Sequence, residues 1–299
     1  MDQLFAKHKG KNQIQPHLQN AESIVIATTT WNSSDIIEQF LDHHLAGDVT
    51  RIFLMDFGSE DATLDIVQSY CDQGTVELLK LPSLHGKDSS NLLLNHIRHC
   101  QEPYDWCLFI DPDEFLSFPA TLARTLAVVP KEVPVVNLSR FNVTGVRPKS
   151  IEHPCVPFTD INLKIKQRSQ RSAKDRHARE LNPVWIFTDI PGKIAVRVNS
   201  ETVIGDGDHN ARGNTGFAIE GQELLHFPIR SWEKFEEKIK LAKMDFDANP
   251  HLGQNFGWHW RRWIAIHEDG GLASEFLNQF IDATEVGRLI QDGVLERIT

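Results

Sequence analysis

Apolar residues in the first third of the chain come in short runs that alternate with polar stretches. Residues 23–27 (SIVIA) form a β-rich apolar run, followed by the polar TTTWNSSD and then by helical spacing over 36–45, with Ser34 or Asp35 placed to cap the helix. Residues 51–56 (RIFLMD) repeat the strand signal, Gly58-Ser59 breaks it, and 61–70 returns to helical spacing with carboxylates in its first turn. A third strand is expected over 76–81 and a third helix over 91–100. Residues 106–110 (WCLFI) are nearly all apolar, as in a strand covered on both faces. Four strands alternating with helices predict an α/β fold with a mainly parallel, doubly wound sheet.

The alternation weakens after about Phe118. Residues 122–129 read as a helix and 135–141 as a strand, while 144–160 is rich in proline and has no period. Residues 194–198 and 202–204 could pair as strands, and 205–216 is a loop with four glycines. A helix charged on one face is expected over 231–244, with Phe235 and Ile239 as packing residues. Residues 272–298 read as one or two amphipathic helices around Gly287 and Gly293.

Composition narrows the class. At 299 residues, 40% hydrophobic and 24% charged, the chain matches an ordinary soluble globular protein. A net charge of -10 argues against a general nucleic-acid binder, whose affinity comes from neutralising phosphates. Cys71, Cys100, Cys107 and Cys155 form no Cys-x-x-Cys pair and read as reduced thiols of a cytoplasmic protein. Residues 1–20 are polar, so neither a signal peptide nor a membrane anchor is expected there. The glycosylation-type triplets at Asn32, Asn137 and Asn142 read as chance.

The strongest chemical signal is FIDPDEFL, residues 109–116, in which Asp111, Asp113 and Glu114 follow directly on an apolar strand. Carboxylates this close repel unless a cation sits among them. At the C-terminal end of a parallel strand they lie where open α/β sheets bind ligands. Hard oxygen ligands favour magnesium or manganese, which keeps positions open for substrate phosphates. A solvated acidic turn with Asp111 as a helix cap is the alternative. Asp56 closes the second strand in DFGSEDAT, where it could accept hydrogen bonds from a base or ribose; alone, this is a common strand-to-helix turn.

Taken together, IVIATTTWNSSDIIEQFLDHHL, IFLMDFGSEDATLDIV and DWCLFIDPDEFL resemble the nucleotide-binding half of GT-A glycosyltransferases, in the family-2-like group with an Asp-x-Asp-Glu-Phe motif. PGKIAVRVNSETVIGDGDHNA and LLHFPIRSWEKFEEKIK are similar to that group's later Lys-and-His and His-x-x-x-Arg-Ser segments. The resemblance covers about residues 23–243 and implies a Rossmann-like GT-A domain over 21–245, with a nucleotide-binding half to about 118 and an acceptor-side half from 119. Segments 1–20 and 246–299 are then a polar extension and a C-terminal helical segment. It further implies donor contacts at Thr28, Asp56, Asp111, Lys193 and His209, and a divalent metal at Asp111 and Asp113 with His226 as a third ligand. The Glu-Asp pair that marks the base in many family-2 enzymes is absent, as is the Gln-x-x-Arg-Trp motif of processive synthases. Asp208 and, as alternative, Glu114 are the base candidates.

The function these features imply is inverting transfer of a sugar from a nucleotide-sugar donor to a hydroxyl of a glycan or lipid-linked acceptor, as in polysaccharide biosynthesis. Two rivals are a metal-dependent nucleotidyltransferase or phosphoesterase, which shares acidic strand ends, and a catalytically retired GT-A domain that binds a sugar nucleotide or glycan. Residues 164–179, from Lys164 to Arg179, hold seven Lys and Arg against one Asp. They suit an anionic acceptor, a diphosphate or an anionic membrane surface; a solvated face or mobile loop is the bland alternative. Trp258, Trp260 and Trp263 could stack on sugar rings, although their spacing also suits a helix core.

Overall fold

The computed structural model describes residues 22–81, 88–151, 160–176, 178, 180–214, 216–253 and 255–298. The chain runs through β1 (Ile24–Thr30), α1 (Ile37–Leu45), β2 (Val49–Asp56), α2 (Thr63–Cys71), β3 (Val76–Lys80), α3 (Ser89–Arg98), β4 (Trp106–Phe109) and β5 (Glu114–Leu116). It continues through α4 (Leu122–Ala127), β6 (Val135–Thr144), β7 (Leu163–Ile165), α5 (Ala173–Arg176), β8 (Lys193–Arg197) and β9 (Phe217–His226). The last elements are α6 (Trp232–Ala248), α7 (Trp258–Glu268), α8 (Leu272–Asn278), α9 (Val286–Gln291) and β10 (Leu295–Arg297). Two compact units result, the first from the chain up to Arg140 with Pro191–Leu225, the second from Phe141–Ile190 with the chain from His226 onward.

In the first unit β3, β2, β1 and β4 lie side by side and parallel, as the alternation predicts. Ile24, Val25 and Ile26 are fully buried between neighbours on both sides, as are Trp106, Cys107 and Leu108. Each such side chain contributes about 1.5–3 kcal/mol by leaving water. Beyond β4 the direction changes: β8 pairs antiparallel with β4, and β6 antiparallel with β8. The pairs Thr30↔Asp56 and Ala27↔Phe109 bring the C-terminal ends of β1, β2 and β4 to one edge.

Three local expectations are corrected. Ser34 does not cap α1: the N-cap position is Ile36, the Ser33 carbonyl accepts from the Ile36 and Ile37 amides, and the Ser34 hydroxyl donates to Asp61 instead. Residues 202–204 do not pair with β8, because β4 and β6 already occupy both of its edges; Ile204 bridges Ala211. The C-terminal stretch is not helical throughout: after α9 the chain turns at Gly293, where φ is 71°, and β10 pairs antiparallel with β7.

Within the second unit, Ser231 caps α6 by accepting from the Lys234 amide at 3.2 Å. Phe235, Ile239, Trp263 and Phe276 are buried there, and Trp263 donates its ring N–H to Glu275 at 2.9 Å, so this tryptophan is core. The basic segment is tied down in part. Lys164 and Lys166 pair with Glu296, Arg168 with Asp189, and Arg171 donates to the carbonyls of Asn182 and Pro183. Among the described residues no helix is long and apolar enough to cross a membrane.

Gly192 makes a close approach to backbone in the first unit, since a Cβ there would lie 2.2 Å from the Leu138 carbonyl oxygen. Leu138 lies in β6, paired with β8 at Lys193, and Gly192 leads directly into β8 with its carbonyl held by His209, so neither backbone yields easily. Gly192→Ala is therefore expected to cost about 1–3 kcal/mol, measured as a lower urea midpoint. Gly287→Ala, which meets nothing within 4 Å in α9, should be neutral or stabilise by up to about 1 kcal/mol. Equal midpoints for the two variants would show that the sheet absorbs the clash.

Candidate functional site

The loops after β1 and β2 are laced together at the sheet edge. Asn32 Oδ1 accepts from the Glu60 amide at 2.8 Å, the Asn32 amide donates to Ser59 at 2.9 Å, and the Ser33 amide donates to Thr63 at 2.8 Å. Asp61 accepts from the Ser34 and Thr63 hydroxyls at 2.7 and 2.5 Å. Although burial opposes its charge, these bonds hold the Asp61 carboxyl well below the usual carboxylate range. Asp56 is buried and accepts from the Gly58 and Ser59 amides at 2.8 and 3.0 Å and from the Ser59 hydroxyl at 2.5 Å. Its carboxylate thus shapes the turn. Thr28, on β1, is buried, and its hydroxyl has no hydrogen-bond partner among the described residues.

The acidic motif is locked by reciprocal bonds. The Asp111 amide donates to Glu114 Oε2 at 2.9 Å, and the Glu114 amide donates to the Asp111 carbonyl at 3.0 Å. The chain then enters β5, which pairs with β9, so no helix follows for Asp111 to cap. Two histidines of α1 hold the far end of β5. His44 is fully buried, and desolvation followed by the charge of His43 pushes its pKa well down. The neutral ring donates from Nδ1 to the Phe40 carbonyl and accepts the Leu116 amide at Nε2. His43 donates from Nε2 to the Leu116 carbonyl at 2.7 Å.

Lys193, the first residue of β8, is only 2% exposed. Its ammonium lies 2.9 Å from Asp111 Oδ2, 3.9 Å from Glu114 Oε2 and 3.9 Å from Asp208 Oδ2, and it donates to the Gly207 carbonyl at 3.1 Å. Burial alone would lower its pKa, but the three carboxylates raise it above the ordinary lysine value. Burial likewise opposes the Asp111 charge, and Lys193 overcomes it and holds that carboxyl below its usual range. Glu114 ends the other way. Burial, reinforced by the Asp111 charge, lifts it to about 7 despite Lys193 and Arg140.

The base candidates separate in this geometry. Glu114 is fully buried, and its oxygens face Arg140 at 2.5 Å and the Asp111 amide, so it is sealed from any acceptor and positions its neighbours. Asp208 keeps 19% of its side chain exposed, and burial raises its pKa. His209 donates from Nδ1 to the Gly192 carbonyl at 2.8 Å, while burial and then Lys193 push its pKa down to about 4. A neutral ring with an acceptor Nε2 results. His226 belongs to the second unit, where its Nδ1 pairs with Asn142 Oδ1 at 2.8 Å.

The site thus brings together Asp111, Glu114, Lys193, Asp208 and His209. Arg140, His43 and His44 were missed by the sequence reading. The available signal was a lone arginine in the apolar alternation of residues 135–143, and a His pair within an amphipathic helix. Asp111 keeps 41% of its side chain exposed, with Oδ2 on Lys193, and the Asp113 charge acts on it directly. Two adjoining carboxylates fit a hard divalent cation that takes its remaining ligands from phosphate and water.

The chain was compared with known proteins by sequence and by fold. Among solved structures, S. aureus TarS 1-349 in complex with UDP-GlcNAc is 22% identical with a TM-score of 0.34, over 44% of this chain and 39% of that one. The mannosyltransferase PcManGT from Pyrobaculum calidifontis, in complex with GDP-Man and Mn2+, is 13% identical with a TM-score of 0.41, over 95% of this chain and 83% of that one. Glucosyl-3-phosphoglycerate synthase from Mycobacterium tuberculosis, with Mn2+, UDP and glucosyl-3-phosphoglycerate, is 19% identical with a TM-score of 0.30, over 40% of this chain and 44% of that one. No curated protein matches the sequence significantly. The family model of glycosyl transferase family 2 matches residues 23–186, more than half of the chain and all four parallel strands with the acidic motif, and the chain belongs to that family.

Proposed function

We propose that this chain is a metal-dependent, inverting glycosyltransferase that moves a sugar from a nucleotide donor to a hydroxyl of a glycan or lipid-linked acceptor. The observation that carries the reading is the buried Lys193 ammonium, 2.9 Å from Asp111 at the strand ends of a family-2 chain. Asp111 and Asp113 would hold magnesium or manganese, which when bound stabilises the charge of the leaving diphosphate. Lys193 adds a fixed positive charge beside it in a water-poor cleft, where such charge acts strongly on a developing anion. His209 offers a neutral Nε2 to the same cluster. Thr28 supplies a hydroxyl with no partner among the described residues, and Asp56 holds the turn that meets the nucleoside end of the donor.

The acceptor hydroxyl needs a base, and Asp208 is the assignment. It is partly exposed, and burial brings its pKa up toward the working range of a general base. Glu114 acts at one remove: its carboxyl orients Asp111 through the Asp111 amide and answers Arg140.

Asp113→Asn keeps the shape and removes a ligand charge. Turnover with a nucleotide-sugar donor should fall ~10²–10³-fold, with the thermal midpoint little changed. Chelation should stop the wild type, and manganese or magnesium should restore it. Full chelator-insensitive activity in Asp113→Asn would sink the metal reading.

The Glu114 carboxyl gives a pH test. Its pKa is raised from an ordinary 4.5 to about 7, so the folded state holds a proton that the unfolded chain has already lost. Its contribution to stability is full below about 4.5 and is lost as pH rises toward 7. Relative to Glu114→Gln, the wild type should lose about 3 kcal/mol over that interval. Urea titrations of both proteins at stepped pH measure the difference, which also cancels the opposite slope of His209. A constant difference would place the Glu114 pKa at its ordinary value.

A further inference from the structure

Outside the acidic motif, the first unit holds a second group of ligand-type side chains. A Glu77 carboxylate oxygen, a His96 ring nitrogen and Cys100 Sγ all lie within 4.8 Å of one another. We propose that Glu77, His96 and Cys100 form a zinc-type divalent cation site that ties the C-terminal end of α3 to the edge strand β3. The site uses none of the residues assigned to sugar transfer and stands or falls separately from that reading.

The backbone places the three groups without strain. Glu77 on β3 pairs in register with Phe53 on β2, and alternation puts both side chains on one face of the sheet. The Phe53 ring meets the His96 ring on that face, with centroids 5.9 Å apart at 68°. Cys100 follows just past the end of α3 and its C-cap His99, where the chain turns back toward His96. The Cys100 amide donates to the Ile97 carbonyl at 3.2 Å, and its thiol reaches the His96 carbonyl at 3.5 Å. All three residues are half-buried, which gives an ion access and partial shielding.

The charge arrangement suits a divalent cation. Arg51 faces the other oxygen, Glu77 Oε2, at 3.8 Å and leaves Oε1 to the cluster; Glu102 balances Arg51 at 3.7 Å. A neutral imidazole, a thiolate and a carboxylate together neutralise one divalent ion. Sulfur, nitrogen and oxygen donors select zinc over the hard ions that suit Asp111 and Asp113. With zinc–ligand bonds of about 2.0–2.3 Å, tetrahedral ligands sit about 3.4 Å apart. His96 and Glu77, now 2.5 Å apart in a hydrogen bond, need only separate by a side-chain rotation. Without a cation, burial and then the Glu77 charge raise the Cys100 thiol pKa, so the sulfur stays protonated at neutral pH. Binding breaks the S–H bond, forms the metal–sulfur bond and releases the proton to solvent.

Cobalt(II) titration of the metal-stripped full chain tests the site. Stoichiometric uptake should bring a near-ultraviolet thiolate-to-cobalt band and the visible bands of a tetrahedral ion, both displaced by zinc. Cys100→Ser should lose the near-ultraviolet band, and His96→Gln should weaken affinity roughly tenfold or more. Cys71→Ser and Asp113→Asn should keep both signals. Circular dichroism guards against misfolding, and in the wild type equimolar zinc should slow alkylation of Cys100 roughly tenfold. Failure to bind cobalt, a thiolate band that survives Cys100→Ser, or zinc-insensitive alkylation would each overturn the assignment.

Discussion

The site depends on burying the Lys193 ammonium at the start of β8. Removing such a charge from water costs several kcal/mol unless close counter-charges replace the solvent. Asp111, Glu114 and Asp208 do so, from the end of β4, the start of β5 and the glycine-rich loop. For these to meet, β8 must lie antiparallel beside β4, and the loop must fold back over the start of β8. Gly192 lets β6 close on the other edge of β8, since any larger residue would strike the Leu138 carbonyl. Its own carbonyl serves the second requirement by accepting from His209.

The cluster holds more acids than bases. Lys193 and Arg140 answer Asp111, Glu114 and Asp208, with the Asp113 charge acting on Asp111, and the imbalance falls on the group least able to bear it. Glu114, fully buried, gives up part of its charge, while the half-exposed Asp111 stays ionised. Burial therefore divides two neighbouring carboxyls into one that favours its proton and one that keeps its charge. The excess negative charge that remains at the exposed side is what a divalent cation would answer.

Around this centre, precision comes from backbone bonds made by polar side chains. His43 and His44 grip β5, Asp56 shapes the turn after β2, and Asp61 joins the loops after β1 and β2. His43, His44 and Asp56 act from buried positions and Asp61 from a partly buried one. Such bonds are directional, so they set positions that apolar packing of the sheet would leave loose.

Much of the fold was legible along the chain. The strands at 24–30, 49–56, 76–80 and 106–109 and the helices between them follow from hydrophobic period alone, because local burial on one face or two imposes that period. The acidic run after the fourth strand was legible for the same reason, since polar residues ending an apolar strand must sit at the sheet edge. What tertiary structure decided is which distant groups meet. No spacing relates Lys193 to Asp111, or Arg140 to Glu114, because strand pairing across 82 and 26 residues sets those distances. Burial also decided the roles: Asp208 and Glu114 look alike as acids in the sequence, but only the fold leaves one partly open and seals the other. Likewise Ser34, which reads as a helix cap, bonds to Asp61, a partner that exists only once β1 and β2 lie side by side.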